Sequence, residues 1–78
     1  MEIYIGTLER FGDIMLCVGT TKKQVVDSIM SEYDRVYKRL NNEDPKKNFT
    51  YNDNQSDYAI AKENISIRKL AMGKVEFT

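Results

Sequence analysis

Apolar side chains recur along this chain in two rhythms, and the change of rhythm divides it. In EIYIGTLE, Ile3 and Ile5 fall on one side with Thr7, while Tyr4 and Leu8 fall on the other. In DIMLCVGT, Ile14, Leu16 and Val18 alternate with Met15 and Cys17. A period of two is that of a strand. Between the runs, Arg10-Phe11-Gly12-Asp13 supplies a turn in which Gly12 can take positive φ. Residues 1–20 therefore read as a β-hairpin. The second strand is apolar on both faces, which predicts a central place in its sheet. Gly6 and Gly19 mark bulges or close backbone approaches.

After Thr20 the period lengthens. Val25, Val26, Ile29, Met30, Tyr33, Val36, Tyr37 and Leu40 keep an i, i+3, i+4 spacing, with Lys23, Asp27, Ser31, Asp34, Arg35 and Lys38 opposite. This is an amphipathic helix of about twenty residues. Thr21-Lys22-Lys23-Gln24 opens it as a capping box. Asp34 and Lys38 form an i, i+4 pair in the favourable order. Asn41-Asn42 can end the helix through a left-handed residue, and Pro45 blocks its continuation.

The next stretch, NNEDPKKNFTYNDNQSD (41–57), is a long polar loop broken only by Phe49 and Tyr51. Loops of this length are uncommon in compact domains and are often functional, although the composition also suits a disordered linker. Phe49 and Tyr51 could clip the loop to the core, form an edge strand or anchor a partner. Beyond it, Ile65 and Ile67 alternate with Ser66 and Arg68, and Val75 and Phe77 with Lys74 and Glu76, as two short strands. Met72-Gly73-Lys74 is a turn or bulge between them. Tyr58 to Lys62 reads as a strand or one helical turn, the strand being preferred, with a helix through Ala59–Ala71 as the competing reading.

Together these elements predict a single α+β domain over 1–78. The expected order is hairpin, helix, loop 41–57 and one or two C-terminal strands. The helix should cover one face of a small antiparallel sheet, as a two-layer sandwich. One helix cannot cover both faces of an apolar hairpin. Tyr4, Leu8, Met15 and Cys17 are then expected on the open face, where a homodimer or a protein partner would cover them.

Composition narrows the chemistry. Seventy-eight residues bury a small core, leaving a thin stability margin. One cysteine, Cys17, and no histidine exclude an internal disulfide and a Cys/His zinc site. Cys17 reads as a small hydrophobe, and cysteine poverty fits a reducing cytosol. Twelve bases balance twelve acids, which gives neither a basic footprint for nucleic acid nor an acidic mimic of it. There is no charged-then-apolar leader and no run long enough to span a bilayer, so no membrane association and a cytoplasmic location are expected. The carboxylates are scattered without a partner base, so no catalytic residue is assigned and the chain is not expected to be an enzyme. Asp53, Asn54 and Asp57 lack the order of a calcium loop, and no metal or cofactor is expected.

Two clusters remain. Arg35, Arg39, Lys46 and Lys47 surround the aromatic pair Phe49 and Tyr51, a mixture suited to gripping a partner protein. The same residues could bind single-stranded nucleic acid through stacking, a weaker reading because Glu43, Asp44 and Asp53 interrupt the bases. Thr20, Thr21, Lys22 and Lys23 sit at a helix N-terminus, where an anion such as the phosphate of a nucleotide could bind. Helix capping explains Thr21 more simply.

The span MEIYIGTLERFGDIMLCVGTTKKQVVDSIMSEYDRVYKRL resembles the opening of short reading frames in phages and prophages of low-GC bacteria, which share this strand, turn, strand, capped-helix order. The resemblance covers about half the chain and includes no functional motif, so it assigns no residue. It implies an accessory protein that antagonises host defences, as anti-CRISPR inhibitors or sequesters of nucleotide signals do. The leading expectation is a non-enzymatic protein that binds a host protein and blocks it sterically. Sequestering a phosphorylated nucleotide at an oligomer interface is the alternative.

Overall fold

A computed structural model describes residues 2–51 and 53–71. The order is β1 (Glu2–Arg10), β2 (Asp13–Gly19), α1 (Lys22–Asn41), α2 (Asp57–Glu63) and β3 (Ser66–Ala71). The three strands form an antiparallel sheet in the order β2-β1-β3. Helices packed on a small antiparallel sheet make this an α+β fold, as the sequence predicts.

The hairpin closes through a two-residue loop in which both Phe11 (φ 58°) and Gly12 (φ 73°) are left-handed. That primed geometry matches the twist of the flanking strands. Gly12 adopts it freely, whereas for Phe11 it costs on the order of 1–2 kcal/mol. Partial compensation comes from the Phe11 ring, stacked on Tyr33 with centroids 5.5 Å apart.

Two details of the hairpin depart from the sequence reading. β1, not β2, is central, and β2 lies at an edge. The faces are also reversed. Leu8 is buried, and Tyr4, Met15 and Cys17 pack against the core beneath α1. Register pairs Ile5 with Val18, Thr7 with Leu16 and Glu9 with Ile14, and on this opposite face Ile14, Leu16 and Val18 stand 62, 66 and 54 % exposed. Gly6 decides which way the sheet faces. A Cβ there would overlap Val25 Cγ1 and lie 2.8 Å from Ile29 Cδ1. The helix can therefore approach closely only on the Gly6 side, which carries Tyr4 and Leu8 with it.

α1 begins and ends where expected. The Thr21 hydroxyl accepts from Gln24 N–H, and the Gln24 side chain reaches back to the N–H of Thr20 rather than Thr21, at 2.9 Å. Asn42 closes the helix in the left-handed region. Val25, Ile29, Met30, Tyr33 and Tyr37 form the buried stripe, where each fully buried aliphatic contributes roughly 1.5–3 kcal/mol. Lys38 and Asp34 pair at 2.9 Å.

The segment expected as a strand at Tyr58–Lys62 lies instead in helix α2. The Ser56 hydroxyl caps it by accepting from Ala59 N–H, and Asp57 places a negative charge in the first turn, where the helix dipole favours it. The helix stops at Glu63, so the longer helix through Ala71 does not form and Ile67 lies in a strand. Ala61 has no accessible surface in the core. The expected turn at 72–74 and the strand containing Val75 and Phe77 lie outside the described residues.

Candidate binding surface

The connection between the helices is held by hydrogen bonds more than by apolar burial. Asp57 is its anchor. This buried carboxylate accepts from the Tyr37 hydroxyl at 2.7 Å, the Thr50 hydroxyl at 2.8 Å and the Thr50 N–H at 3.0 Å. Its own N–H donates to the Asn48 carbonyl at 2.7 Å, and the next N–H, of Tyr58, donates to Pro45 at 3.1 Å. Asn48 Nδ2 donates to the Tyr37 oxygen at 2.6 Å and to Glu43 at 2.5 Å. Pro45 is buried beneath the segment.

The electrostatics agree with this assignment of donors and acceptors. Burial alone would raise the Asp57 pKa, but hydrogen bonds from Tyr37 and Thr50 outweigh it and hold the carboxyl below its ordinary value. Burial, and secondarily the Asp57 charge, pushes Tyr33 up to about 12. Tyr37 moves in the same direction, through burial and then its bond to Asp57. At neutral pH the aspartate is ionised and both phenols keep their protons. The arrangement holds a charge in place.

With Asn48 and Thr50 turned inward, the aromatic residues that alternate with them are displayed. Phe49 is 46 % exposed and Tyr51 is 82 % exposed. The loop is thus clipped to the core by polar residues, with Tyr51 largely exposed and Phe49 about half-buried. Asp57 carries much of the clip. The sequence alone did not assign it this place; two tyrosines four residues apart on an apolar helix stripe signal that buried hydroxyls need partners, but not which residue supplies them.

Two adjoining hollows flank this region and share Arg10, Phe11 and Leu40. One, about 680 Å³, runs between the outer edge of β2 and the α1 flank bearing Arg35, Val36 and Arg39. The other, about 690 Å³, lies at the hairpin tip among Phe11, Tyr33, Tyr37, Thr50, Tyr51 and Asp57. The residues expected to bind a partner therefore divide. Arg35 and Arg39 wall the first hollow, and Tyr51 lines the second. Arg35 is paired with Glu32. The Lys46 ammonium lies 5.0 Å from the Tyr58 ring centroid, and Lys47 is exposed on the connection.

Three of the four residues of the expected anion site are already internally bonded, and Lys22 is exposed. The Thr21 hydroxyl caps α1, the Thr20 N–H and hydroxyl both reach Gln24 Oε1, and Lys23 pairs with Asp27 at 2.6 Å. Tyr33, Tyr37 and Tyr51 gather near the far end of α1, roughly 20 Å away at 1.5 Å per residue. Those rings cannot stack on a base whose phosphate sits at Thr20–Lys23 of the same chain. Among the described residues no three of His, Cys, Asp and Glu gather as a metal site, and no helix is long and apolar enough to cross a membrane. No family model, curated protein or solved structure matches the chain.

Proposed function

We propose that this chain is a non-enzymatic binding protein of the phage-accessory kind. In this reading it acts in the cytoplasm of a bacterial host by covering a working surface of a defence protein, and it needs no metal or cofactor. The observation that carries the reading is the open face of the sheet. Ile14, Leu16 and Val18 are all more than half exposed there, beside half-buried Ile3, Ile5 and Leu70. Apolar side chains that adjoin on one open face, unlike ones scattered singly, mark an interaction surface once their patch exceeds a few hundred Å². Phe11 links this face to Tyr51, since it lines one hollow with Ile14 and the other with Tyr51. The patch can thus extend around the hairpin tip towards the roughly 800 Å² per partner of a stable complex.

The test uses the substitutions Ile14→Thr, Leu16→Thr and Val18→Thr together, which keep strand-favouring residues while removing apolar surface. The unmodified chain, expressed in bacteria carrying CRISPR and other antiphage systems, should raise plaque formation by a targeted phage. The triple variant, folded by circular dichroism, should not. Absence of any rise across the panel, or equal potency of the variant, refutes the reading.

A further inference from the structure

The outer edge of β2 and the α1 flank above it together form a slot for one more strand. In a hairpin closed by two residues, the pair flanking the loop, Arg10 and Asp13, exchanges its hydrogen bonds, and bonded pairs alternate from there. The N–H and C=O groups of Met15 and Cys17 therefore point at β1, and those of Ile14, Leu16 and Val18 point outward. Two contacts bear this out: Ile14 N–H is taken by the Asp13 side chain at 2.8 Å, and Val18 C=O is approached by Cys17 Sγ at 3.8 Å. Among the described residues no strand lies beyond β2. Leu16 keeps both its backbone groups at this edge.

We propose that an extended acidic–apolar segment of a partner protein docks here as a fourth strand, a mode that deepens the reading above and rests on it. Side chains of an added strand that lie opposite Leu16 share its open face, so they should be apolar. Those opposite Met15 or Cys17 turn towards the α1 flank, where the hollow is walled by Arg35, Val36 and Arg39. Three arginines, counting Arg10, and two carboxylates, Asp13 and Glu32, line this hollow. Glu32 pairs with Arg35 and also feels the Arg39 charge, and Asp13 accepts from the Ile14 amide while keeping its own charge. The hollow therefore carries three positive charges against two negative ones. Arg39 forms no ion pair among the described residues, which leaves positive charge to be answered by acidic side chains. A second copy of this chain suits the slot less well. Edge-to-edge pairing of two β2 strands would bring the arginine-bearing flanks of both copies together and leave the excess positive charge of each unanswered.

The probe is a fluorescein-labelled peptide of four Glu-Val repeats, with a Lys-Val peptide of equal length as the charge control. The Glu-Val peptide should bind saturably and the control should not. Arg39→Glu should weaken binding roughly fivefold or more, a change of about 1 kcal/mol. On binding, the Leu16 and Val18 amides should gain protection from hydrogen exchange, while Met15 and Cys17, already bonded to β1, should change little. Absence of binding, binding that leaves Leu16 unprotected, or equal affinity for both peptides overturns the proposal. So does protection of the Leu16 amide in the free protein, whether constant or rising with concentration, because the edge would then be occupied already. Defence inhibition that survives with an unprotected edge would sink the strand-addition mode alone. A working slot in a chain that affects no defence system would instead sink the parent reading.

Discussion

Replacing Asp57 should unfasten the connection between the helices, and the size of the effect follows from its contacts. Three donors converge on the carboxylate, two from Thr50 and one from Tyr37. Asp57→Ala leaves the buried Tyr37 hydroxyl without its acceptor, at about 1–3 kcal/mol, and removes two part-buried hydrogen bonds from Thr50, at about 0.5–1.5 kcal/mol each. Part of that returns if the segment opens to solvent, so a total near 3 kcal/mol is expected. A chain of this size has roughly 4–12 kcal/mol to lose, and at about 4–8 °C per kcal/mol the midpoint should fall by more than 10 °C. Asp57→Asn should cost less, about 1–2 kcal/mol. Its amide oxygen can still accept from Thr50, but its NH₂ faces the Tyr37 hydroxyl, which already takes a donor from Asn48. The sign of the pH dependence separates charge from shape. The folded-state pKa of Asp57 is depressed, so its stabilisation is present above the unfolded aspartate value near 3.9 and is lost as pH falls through the folded value. The gap between the wild type and Asp57→Asn should be full at pH 7 and should close in more acidic solution. Urea titrations followed by circular dichroism at pH 7, 5, 4 and 3 would measure it. A variant as stable as the parent at pH 7, or a gap that stays constant with pH, would refute the anchoring role.

Three further outcomes are expected. Gly6→Ala should destabilise by about 1–3 kcal/mol, because its new methyl would overlap Val25, which has no accessible surface and no room to move; thermal melts check this, and an unchanged midpoint would show that α1 can lift from the sheet. Thr21→Ala should cost about 1 kcal/mol through loss of the helix cap, while Thr21→Ser should cost far less, as read from the same melts. Tyr51→Ala should move stability by no more than about 0.5 kcal/mol, given its exposure, yet should lower the rise in plaque formation that the unmodified chain gives if the hairpin tip takes part in binding.

The parts of the fold that local chemistry dictates were legible. Thr21, the apolar spacing from Val25 to Tyr37 and the Asn-Asn ending identified α1, because capping and periodicity are written in neighbouring residues. The hairpin was legible for the same reason. Its orientation was not, since both faces carry apolar residues and alternation alone cannot say which one a helix will choose. Gly6 held that information, as the place where α1 must approach. Strand order was hidden because an apolar edge strand and a central strand look alike when the strand's second apolar face meets solvent. α2 was misread because seven residues carry too little periodicity, and the decisive signal was Ser56 acting as a cap. The aromatic pair was legible as a feature, whereas the polar residues that hold it came from a contact between positions 37 and 57 that no local pattern records.

The two halves of this arrangement depend on each other. A segment this polar cannot be held by apolar burial, and an unfastened one would lose conformational entropy on meeting a partner, at roughly 0.5–1.5 kcal/mol for each side chain ordered. By turning Asn48 and Thr50 onto Tyr37 and Asp57, the fold makes that ordering part of its own stability and leaves Phe49 and Tyr51 facing outward beforehand. The sheet follows a similar division, with Leu8, Met15 and Cys17 directed under α1 and Ile14, Leu16 and Val18 left in solvent. Apolar surface that the small core does not use is thereby concentrated on one sheet face and at the hairpin tip. If Asp57→Ala loosens the segment while the core stays folded, Tyr51-dependent binding should weaken although Tyr51 itself is intact. That result would tie the stability of the clip directly to recognition.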